Sequence, residues 1–328
     1  MKIRLLFISI LAAFATLTSC DNLIYDEEGD CSVKIRFCYD YNMKFADAFP
    51  SEVKSVNLYV LDTNGVVIAE QSESGEALTA DGYAMTLDLE PGEYNFLAWC
   101  GMQDNDFKVG DDLSCYLNRN HTPDGEAFID TDIKALYHGL LSNQKFTYTD
   151  GPHTFTIPLV KDTNNVRLVL QHTSGLPVDI EKYQFSITDN NGYINSDNSL
   201  LDDEEITYYP WHVEAGEAHF DLTGESSGGP NVAFSAAIAE FTISRLMTNH
   251  KTRLTVTNRT NGETVFSIPF IDYAILIKHF YNRDMSDQEY LDRQDTYDLT
   301  FFIDEGDRWL DTYIYINSWK VVLQDSDL

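Results

Sequence analysis

A cysteine near the start of the chain has the surroundings that direct a thiol to lipid attachment. Lys2 and Arg4 precede an apolar stretch from residue 5 to about residue 15, and Leu17-Thr18-Ser19 leads directly to Cys20. The stretch is short for a membrane-spanning helix and is typical of a secretory signal. The pattern predicts a lipoprotein signal peptide over residues 1–20, after which Cys20 carries acyl chains such as palmitate. The alternative is an ordinary signal peptide that contains a cysteine by chance.

The other cysteines are Cys31, Cys38, Cys100 and Cys115, an even number in a compartment that permits disulfides. Cys31 and Cys38 lie in or beside one strand-like run, where an extended chain would hold them on the order of 23 Å apart and prevent a bond between them. Cys100 lies in an apolar stretch and is equally consistent with a buried free thiol. The sequence is consistent both with disulfides among these four cysteines and with free thiols.

The residue types that catalyse reactions or bind metals show none of the usual spacings. The histidines form no close zinc-type pair, and no His-Glu-x-x-His, Gly-x-Ser-x-Gly or phosphate-loop motif occurs. Asp189-Asn190-Asn191-Gly192 is rich in oxygen atoms but lacks the register of a calcium loop, so a turn is expected there. The many carboxylates must include pairs at glycosidase spacing by chance, and the sequence singles out none. The sequence predicts no enzyme, no cofactor and no metal.

The charge balance excludes one class of partner. The chain has 22 Lys and Arg against 53 Asp and Glu, a net charge of −31. Such a surface repels phosphate backbones, so no nucleic-acid binding is expected. It is not attracted to anionic lipids either, so the acyl chains must tether the protein alone. Residues 21–30 are predicted to be a short tether.

Strand patterns dominate the first half beyond the tether. Val33–Tyr39 is a strand-like run, and Val56–Leu61 is followed by Asp62-Thr63-Asn64-Gly65 and a second apolar run, which predicts a hairpin. Tyr83–Leu89 alternates apolar and polar residues, residues 90–93 form a turn, and Tyr94–Trp99 is expected as the return strand.

The second half restarts this pattern. Val166–Gln171 is a strand, and Tyr183–Thr188 runs into Asp189-Asn190-Asn191-Gly192, much as an earlier strand ends at Asp62. This weak repeat predicts two tandem β-sandwich domains, at residues 31–160 and 161–328. A second hairpin is expected around Asn261-Gly262.

Helical signals are few and lie near the end of the chain. An apolar run from Phe270 to Phe280 follows Pro269, and Ser286-Asp287-Gln288-Glu289 is a capping box that opens a helix to about Arg293. Two closing strands are expected, at Tyr297–Ile303 and Thr312–Leu323. The predicted fold is therefore all-β with minor helices.

Several stretches, taken in order, resemble the FimB-type fimbrial anchor family, the lipoproteins that root fimbriae in the outer membrane of Gram-negative anaerobes. They span nearly the whole mature chain. The stretches are Phe37-Cys38-Tyr39-Asp40-Tyr41-Asn42, Ala48-Phe49-Pro50, Leu58-Tyr59-Val60-Leu61-Asp62 with Gly65, Pro91-Gly92-Glu93-Tyr94, Ala98-Trp99, Leu136-Tyr137-His138-Gly139, Lys161-Asp162-Thr163-Asn164-Asn165, Asp189-Asn190-Asn191-Gly192, Tyr281-Asn282-Arg283, Trp309-Leu310 and Ile316-Asn317-Ser318-Trp319.

The resemblance implies two transthyretin-like β-sandwich domains, no enzyme activity, and a place at the fimbrium base on the outer membrane. It also implies assembly by β-strand complementation, in which a strand of one subunit completes the sheet of the next. Stalk subunits of this kind lose an N-terminal strand to an Arg-specific protease. The first arginine after Cys20 is Arg36, inside a predicted strand, so a cut there would sever the lipid and an uncleaved subunit is expected.

The partner is then a fimbrial stalk subunit, and two directions of strand exchange stay open. The chain acts as acceptor if the partner strand enters beside Val33–Tyr39, with Val33, Ile35, Phe37 and Tyr39 as the expected contacts. It acts as donor if Thr312–Leu323 swings out.

The alternative is that the chain is a carbohydrate-binding surface lipoprotein, which is a different class of function. This alternative shares the signal peptide and the β-sandwich architecture, so fold alone does not exclude it. Trp211 and Trp309 would be candidates for stacking on sugar rings, although packing is the more common role of such residues.

Overall fold

A computed structural model describes residues 32–102, 104–147, 153–221, 231–278, 284–310, 313–317 and 319–322. The predicted signal peptide with Cys20, the tether at 21–30, Cys31 and residues 323–328 lie outside this range. Among the described residues, no helix has the length and apolar character needed to cross a membrane.

Strands make up most of the described chain. In chain order they are β1 (Ser32–Cys38), β2 (Ser55–Leu61), β3 (Val67–Ser74), β4 (Met85–Asp88), β5 (Gly92–Cys100), β6 (Phe107–Val109), β7 (Cys115–Leu117), β8 (Asn120–His121), β9 (Ala127–Ile129), β10 (Tyr137–Phe146), β11 (His153–Pro158), β12 (Val160–Lys161), β13 (Thr163–His172), β14 (Tyr183–Asp189), β15 (Tyr193–Ile194), β16 (Ile206–Tyr208), β17 (His212–Asp221), β18 (Asn231–Ser244), β19 (Arg253–Asn258), β20 (Thr264–Pro269), β21 (Thr296–Ile303), β22 (Tyr313–Ile316) and β23 (Trp319–Val322).

The α-helices of the described residues are short: α1 (Phe49–Glu52), α2 (Phe270–Ile275) and α3 (Asp287–Arg293). Helix α2 begins directly after Pro269, and it ends earlier than the apolar run that predicted it. At α3 the Ser286 hydroxyl accepts a hydrogen bond from the Glu289 backbone N–H, so the predicted capping box is confirmed. The all-β fold with minor helices is also confirmed.

The strands form two sandwiches and one small sheet. Sheet A has the order β11-β1-β4, and sheet B has the order β12-β10-β5-β2-β3; together they form the N-terminal sandwich. Sheet C (β17-β18-β13-β21-β22-β23) and sheet D (β20-β19-β14-β16-β9-β8) form the C-terminal sandwich. Sheet E (β15-β7-β6) joins a strand of the second half to two strands of the first.

The first strand of each sandwich has the same arrangement of neighbouring strands. In sheet A, β1 runs parallel to β11 and antiparallel to β4; in sheet C, β13 runs parallel to β21 and antiparallel to β18. Ile35 pairs with Phe155, and Leu168 pairs with Leu299. Each opening strand leads to a second strand in the other sheet, β2 and β14. The repeat read from the sequence therefore corresponds to two copies of one strand arrangement.

Two hairpins form where turn residues predict them. The Asp62 carboxylate accepts hydrogen bonds from the backbone N–H groups of Asn64 and Val66, and Gly65 takes a φ of +80°. This turn joins β2 to β3, and Asn261-Gly262 lies between β19 and β20. Both hairpins are antiparallel, as expected.

Two other strand predictions were wrong. Residues 90–93 do not close a hairpin, because β4 pairs with β1 in sheet A while β5 pairs with β2 and β10 in sheet B. The turn instead carries the chain from one sheet to the other. The run Thr312–Leu323 is not one strand: β22 and β23 pair with each other as a hairpin, and Asn317 between them has a φ of +46°.

Two large hydrophobic clusters form most of the core of the described residues, and a small third one contains Val169, Ala236 and Ile238. One lies between sheets A and B and includes Val33, Leu58 and Phe96. The other runs from the opposite face of sheet B, at Tyr59, Leu97 and Trp99, through sheets E, D and C. Strands β6, β7 and β9 pack in this second cluster although they precede residue 160. The domain boundary near residue 160 stays a prediction.

Candidate partner-binding site

The residues predicted to contact a partner lie on β1, or directly after it in the case of Tyr39, and face inward. They are nearly or wholly inaccessible to solvent: Val33, Ile35, Phe37 and Tyr39. The intervening Lys34 and Arg36 are exposed, which is the alternation expected of a half-buried strand. The four side chains therefore belong to the core between sheets A and B.

Strand β1 is paired along both of its edges. It runs parallel to β11 from Val33, opposite His153, to Cys38, opposite Pro158. On its other side Ser32–Ile35 pairs with β4. The N-terminal strand thus fills a slot between β11 and β4, and another strand enters that slot only if β1 leaves it.

Aromatic packing holds β1 in the slot. The Phe37 ring stacks on Phe49 at 5.6 Å and on Tyr83 at 6.4 Å, and the Tyr39 ring meets Tyr137 edge-on at 5.0 Å. Burial of each such side chain is worth about 1.5–3 kcal/mol. A replacement strand must therefore offer apolar side chains at alternate positions.

A buried ion network that the sequence did not reveal lies at the junction of the two sandwiches, directly after β12 of sheet B. The Arg245 guanidinium, just after β18, contacts the Asp162 carboxylate at 2.5 Å and the Asp292 carboxylate at 3.0 Å. Burial raises the pKa of Asp162, and the Arg245 charge opposes that rise. Asn198 also donates to Asp162. Because Arg245 and Asp162 lie far apart in sequence, no local spacing signals their pairing.

More contacts cross the junction between the halves. The Arg293 guanidinium on α3 lies 3.9 Å from the Tyr41 ring centroid, a cation–π contact. The Lys161 ammonium lies 2.6 Å from the Asp295 carboxylate. These contacts, the Arg245 network and the shared core fasten one sandwich to the other.

His138 on β10 is a further link. Its Nε2 atom lies 2.9 Å from the Ser196 carbonyl oxygen, and its ring meets the Trp99 indole edge-on at 4.8 Å. The Trp99 indole N–H donates to the Leu113 carbonyl oxygen. Burial lowers the pKa of His138 to about 4, so the ring is neutral near pH 7 and Nε2 donates to Ser196 as an N–H group.

The Asp189–Gly192 run is used for internal hydrogen bonds. Asp189 accepts from the Thr252 hydroxyl and lies 3.0 Å from His250 Nδ1, while the buried Asn191 donates to the Arg245 carbonyl oxygen and accepts from the Tyr208 hydroxyl. Within the described ranges, no group of three or more His, Cys, Asp or Glu side chains is placed to hold a metal ion.

The described cysteines Cys38, Cys100 and Cys115 are free thiols. Burial raises the pKa of the Cys38 thiol to about 11 and that of the other two further still. A raised pKa keeps a thiol protonated and unreactive.

The two tryptophans proposed as sugar platforms differ. Trp309 packs between the Phe266 and Phe301 rings, at 5.2 and 6.1 Å, and so belongs to the core. Trp211 is 40% exposed. Next to it a cleft of about 480 Å³ lies between sheet D and strand β17, and Asp130, Gln184, Tyr209 and Arg259 are among its lining residues.

Comparison with known proteins gives a consistent result. The family model of the fimbrillin-A associated anchor proteins Mfa1 and Mfa2 matches residues 27–325. The minor fimbrium anchoring subunit Mfa2 of Porphyromonas gingivalis is 25% identical over 295 residues, which cover 85% of this chain and 84% of that protein.

Solved structures show the same fold. A Bacteroides thetaiotaomicron protein, described as a candidate polysaccharide-binding protein, superposes with a TM-score of 0.78 at 34% identity and covers 91% of this chain and 100% of its own. The fimbrial anchor protein Mfa2 of P. gingivalis superposes with a TM-score of 0.63 at 17% identity, covering 89% of this chain and 98% of its own.

Proposed function

The chain belongs to the family of fimbrillin-A associated anchor proteins, and from this membership we propose that it is an outer-membrane surface lipoprotein that anchors a fimbrium to the cell and terminates its assembly. The observation that carries the proposal is the family match over residues 27–325, nearly the whole chain after the predicted signal peptide. The family is one of structural anchor subunits, and we propose no catalytic role.

Lipid at Cys20 is the proposed attachment to the membrane. The support is the signal pattern of residues 1–20 and the strongly acidic composition, which offers no electrostatic attraction to anionic lipid. Two acyl chains on one cysteine are enough to hold a protein stably at a membrane.

We propose that the chain accepts a strand of a fimbrial stalk subunit at the N-terminal sandwich. The slot of β1 is one strand wide and is flanked by backbone ladders on both sides, with Val33, Ile35, Phe37 and Tyr39 filling the inward positions. A stalk strand with apolar residues at alternate positions would reproduce these contacts once β1 is displaced. The cost of displacing β1 would make the acceptor step slow.

The anchoring role is tested by removing the lipidated thiol. Cys20→Ala should give protein that is released, or retained as a precursor, with its fold intact, because no described helix spans a membrane. Membrane fractionation with and without detergent measures this. Need for detergent to extract the variant would show a second anchor.

Deletion of the gene tests the fimbrial role itself. Electron microscopy of the deletion strain should show fimbriae that are shed into the medium or abnormally long. Unchanged fimbriae would contradict the proposal.

A carbohydrate-binding role is the second candidate. One support is the 34%-identical structure described as a candidate polysaccharide-binding protein. The other is the cleft beside Tyr209, where the side chains of Asp130, Gln184 and Arg259 offer hydrogen-bond donors and acceptors next to an aromatic ring. Titration of the protein with purified polysaccharides distinguishes this role from the anchoring role. Binding that is lost in Tyr209→Ala would support the carbohydrate-binding role. Neighbouring genes for fimbrial subunits favour the anchor, and genes for glycan transporters or hydrolases favour the carbohydrate-binding role.

A further inference from the structure

The two sandwiches differ at one sheet edge. Strands β3 and β16 occupy equivalent places, since each is the antiparallel neighbour of the second strand of its half, β2 or β14. The outer edge of β16 is covered by β9, which pairs with it from Ile206, opposite Ala127, to Tyr208, opposite Ile129. Strand β3 ends its sheet, and no described strand pairs with its outer edge.

The open edge of β3 lacks two of the features that usually protect a sheet edge, although a bulge at Ile68, between the pairs Val60 with Ala69 and Leu61 with Val67, is present. Val67–Ser74 is eight residues long and contains no lysine and no proline. Val66, Val67 and Ile68 are exposed by 57%, 40% and 49%. These three consecutive apolar side chains lie at the beginning of a strand that is paired on one edge only, a combination that favours pairing with another strand.

The charges on this edge define the partner. Glu70 is exposed and Glu73, which accepts a hydrogen bond from the Tyr83 hydroxyl, is half-buried. The strand carries no positive charge, and the whole chain has a net charge of −31. An added strand is therefore favoured when it brings Lys or Arg opposite the two glutamates and apolar side chains opposite Val66–Ile68.

We propose that the outer edge of β3 is a second protein-binding edge, which pairs by β-augmentation with an extended apolar and basic segment of the fimbrial stalk subunit. The identity of the partner rests on the proposed function, whereas the edge is separate from the slot of β1 because it lies in sheet B. A second copy of this chain is a poor occupant, since antiparallel pairing of two β3 strands would bring acidic side chains together without a compensating cation.

Photo-cross-linking tests the inference directly. A photoreactive phenylalanine derivative replaces Ile68 in the full-length protein in cells, and the same residue replaces Leu176 as the control. Leu176 is also an exposed apolar residue, at 52%, but it lies in the loop between β13 and β14. A cross-link from position 68, identified by mass spectrometry as the stalk subunit and absent from position 176, supports the proposal.

A charge variant gives an independent measurement. The double change Ile68→Lys with Glu70→Lys should weaken binding of the purified stalk subunit about tenfold, as loss of a central contact does. Leu176→Lys should leave binding unchanged. Thermal unfolding of both variants shows whether the fold is retained, which is expected because all three side chains are exposed.

The other outcomes overturn the inference. A position-68 cross-link to a second copy of the chain would assign the edge to self-association. Absence of any specific cross-link, with unchanged binding by the folded double variant, would show that β3 contacts no partner. If deletion of the gene still causes shed or abnormally long fimbriae in that case, the anchor function stands and only the binding role of β3 is wrong. The two failures are therefore distinguishable.

Discussion

At the scale of the residue, His138 links protonation to the contact between the two halves. Its folded-state pKa of about 4 lies below the ordinary value of 6.5, because burial disfavours the charged ring. Between about pH 4 and pH 6.5, His138 binds a proton in the unfolded chain but not in the folded chain. The stability contribution of the neutral ring is therefore complete above pH 6.5 and falls as the pH drops toward 4.

The expected size of this effect is about 2 kcal/mol of unfolding free energy lost between pH 7.5 and pH 5. His138→Gln should remove that part of the pH dependence, and urea unfolding at the two pH values measures it. His121→Gln, at an exposed position where the ring lies 3.0 Å from the Glu204 carboxylate, is the comparison histidine and leaves the buried His138 site intact. An unchanged pH dependence in the His138 variant would show that another group is responsible.

At the scale of the element, the C-terminal hairpin decides the direction of strand exchange. Strand β22 pairs with β21 through Leu299 and Ile316, and the side chains of Ile314 and Ile316 are fully buried. Release of this hairpin as a donor would expose both side chains, at about 1.5–3 kcal/mol each, and leave β21 with an open edge.

Deletion of residues 324–328, which lie outside the described range, should therefore leave binding of the stalk subunit unimpaired. Surface plasmon resonance with the purified stalk subunit measures this, and circular dichroism confirms the fold. Deletion from residue 313 onward is the comparison, and it should destabilise the protein because it removes β22. Complete loss of binding in the still-folded 324–328 deletion would make the C-terminus the donor.

At the scale of the whole molecule, the two halves share the larger of the hydrophobic clusters. Tyr59, Leu97 and Trp99 of sheet B pack in the same cluster as the interior of sheets C and D, and β9 from the first half pairs with β16 of the second. Residues 161–322 alone would lack β9 and would expose this apolar surface.

We therefore expect the isolated 161–322 fragment to aggregate and the two fragments, when co-expressed, to reassociate. Calorimetry of the intact chain should show one unfolding transition, since unfolding of the first half removes sheet B and β9 from the core of the second. A soluble, monomeric 161–322 fragment with native β-sheet content, or two separate transitions in the intact chain, would contradict a shared core.

Local features were predictable because their causes lie within a few residues. The Asp62 turn, the Asn261-Gly262 turn and the Ser286 cap each use side chains that bond to backbone groups two to four positions away. The family resemblance, confirmed by the match over residues 27–325, also needed only the order of stretches along the chain.

Tertiary structure alone decided which strands meet. The turn at residues 90–93 looks like a hairpin turn, yet it connects two sheets: β4 pairs with β1, and β5 pairs with β2. Arg245 and Asp162 are distant in sequence and meet in the folded chain, and β9 of the first half covers the edge of β16. Pairing between distant strands depends on which apolar faces can be buried together, and that is a property of the whole chain.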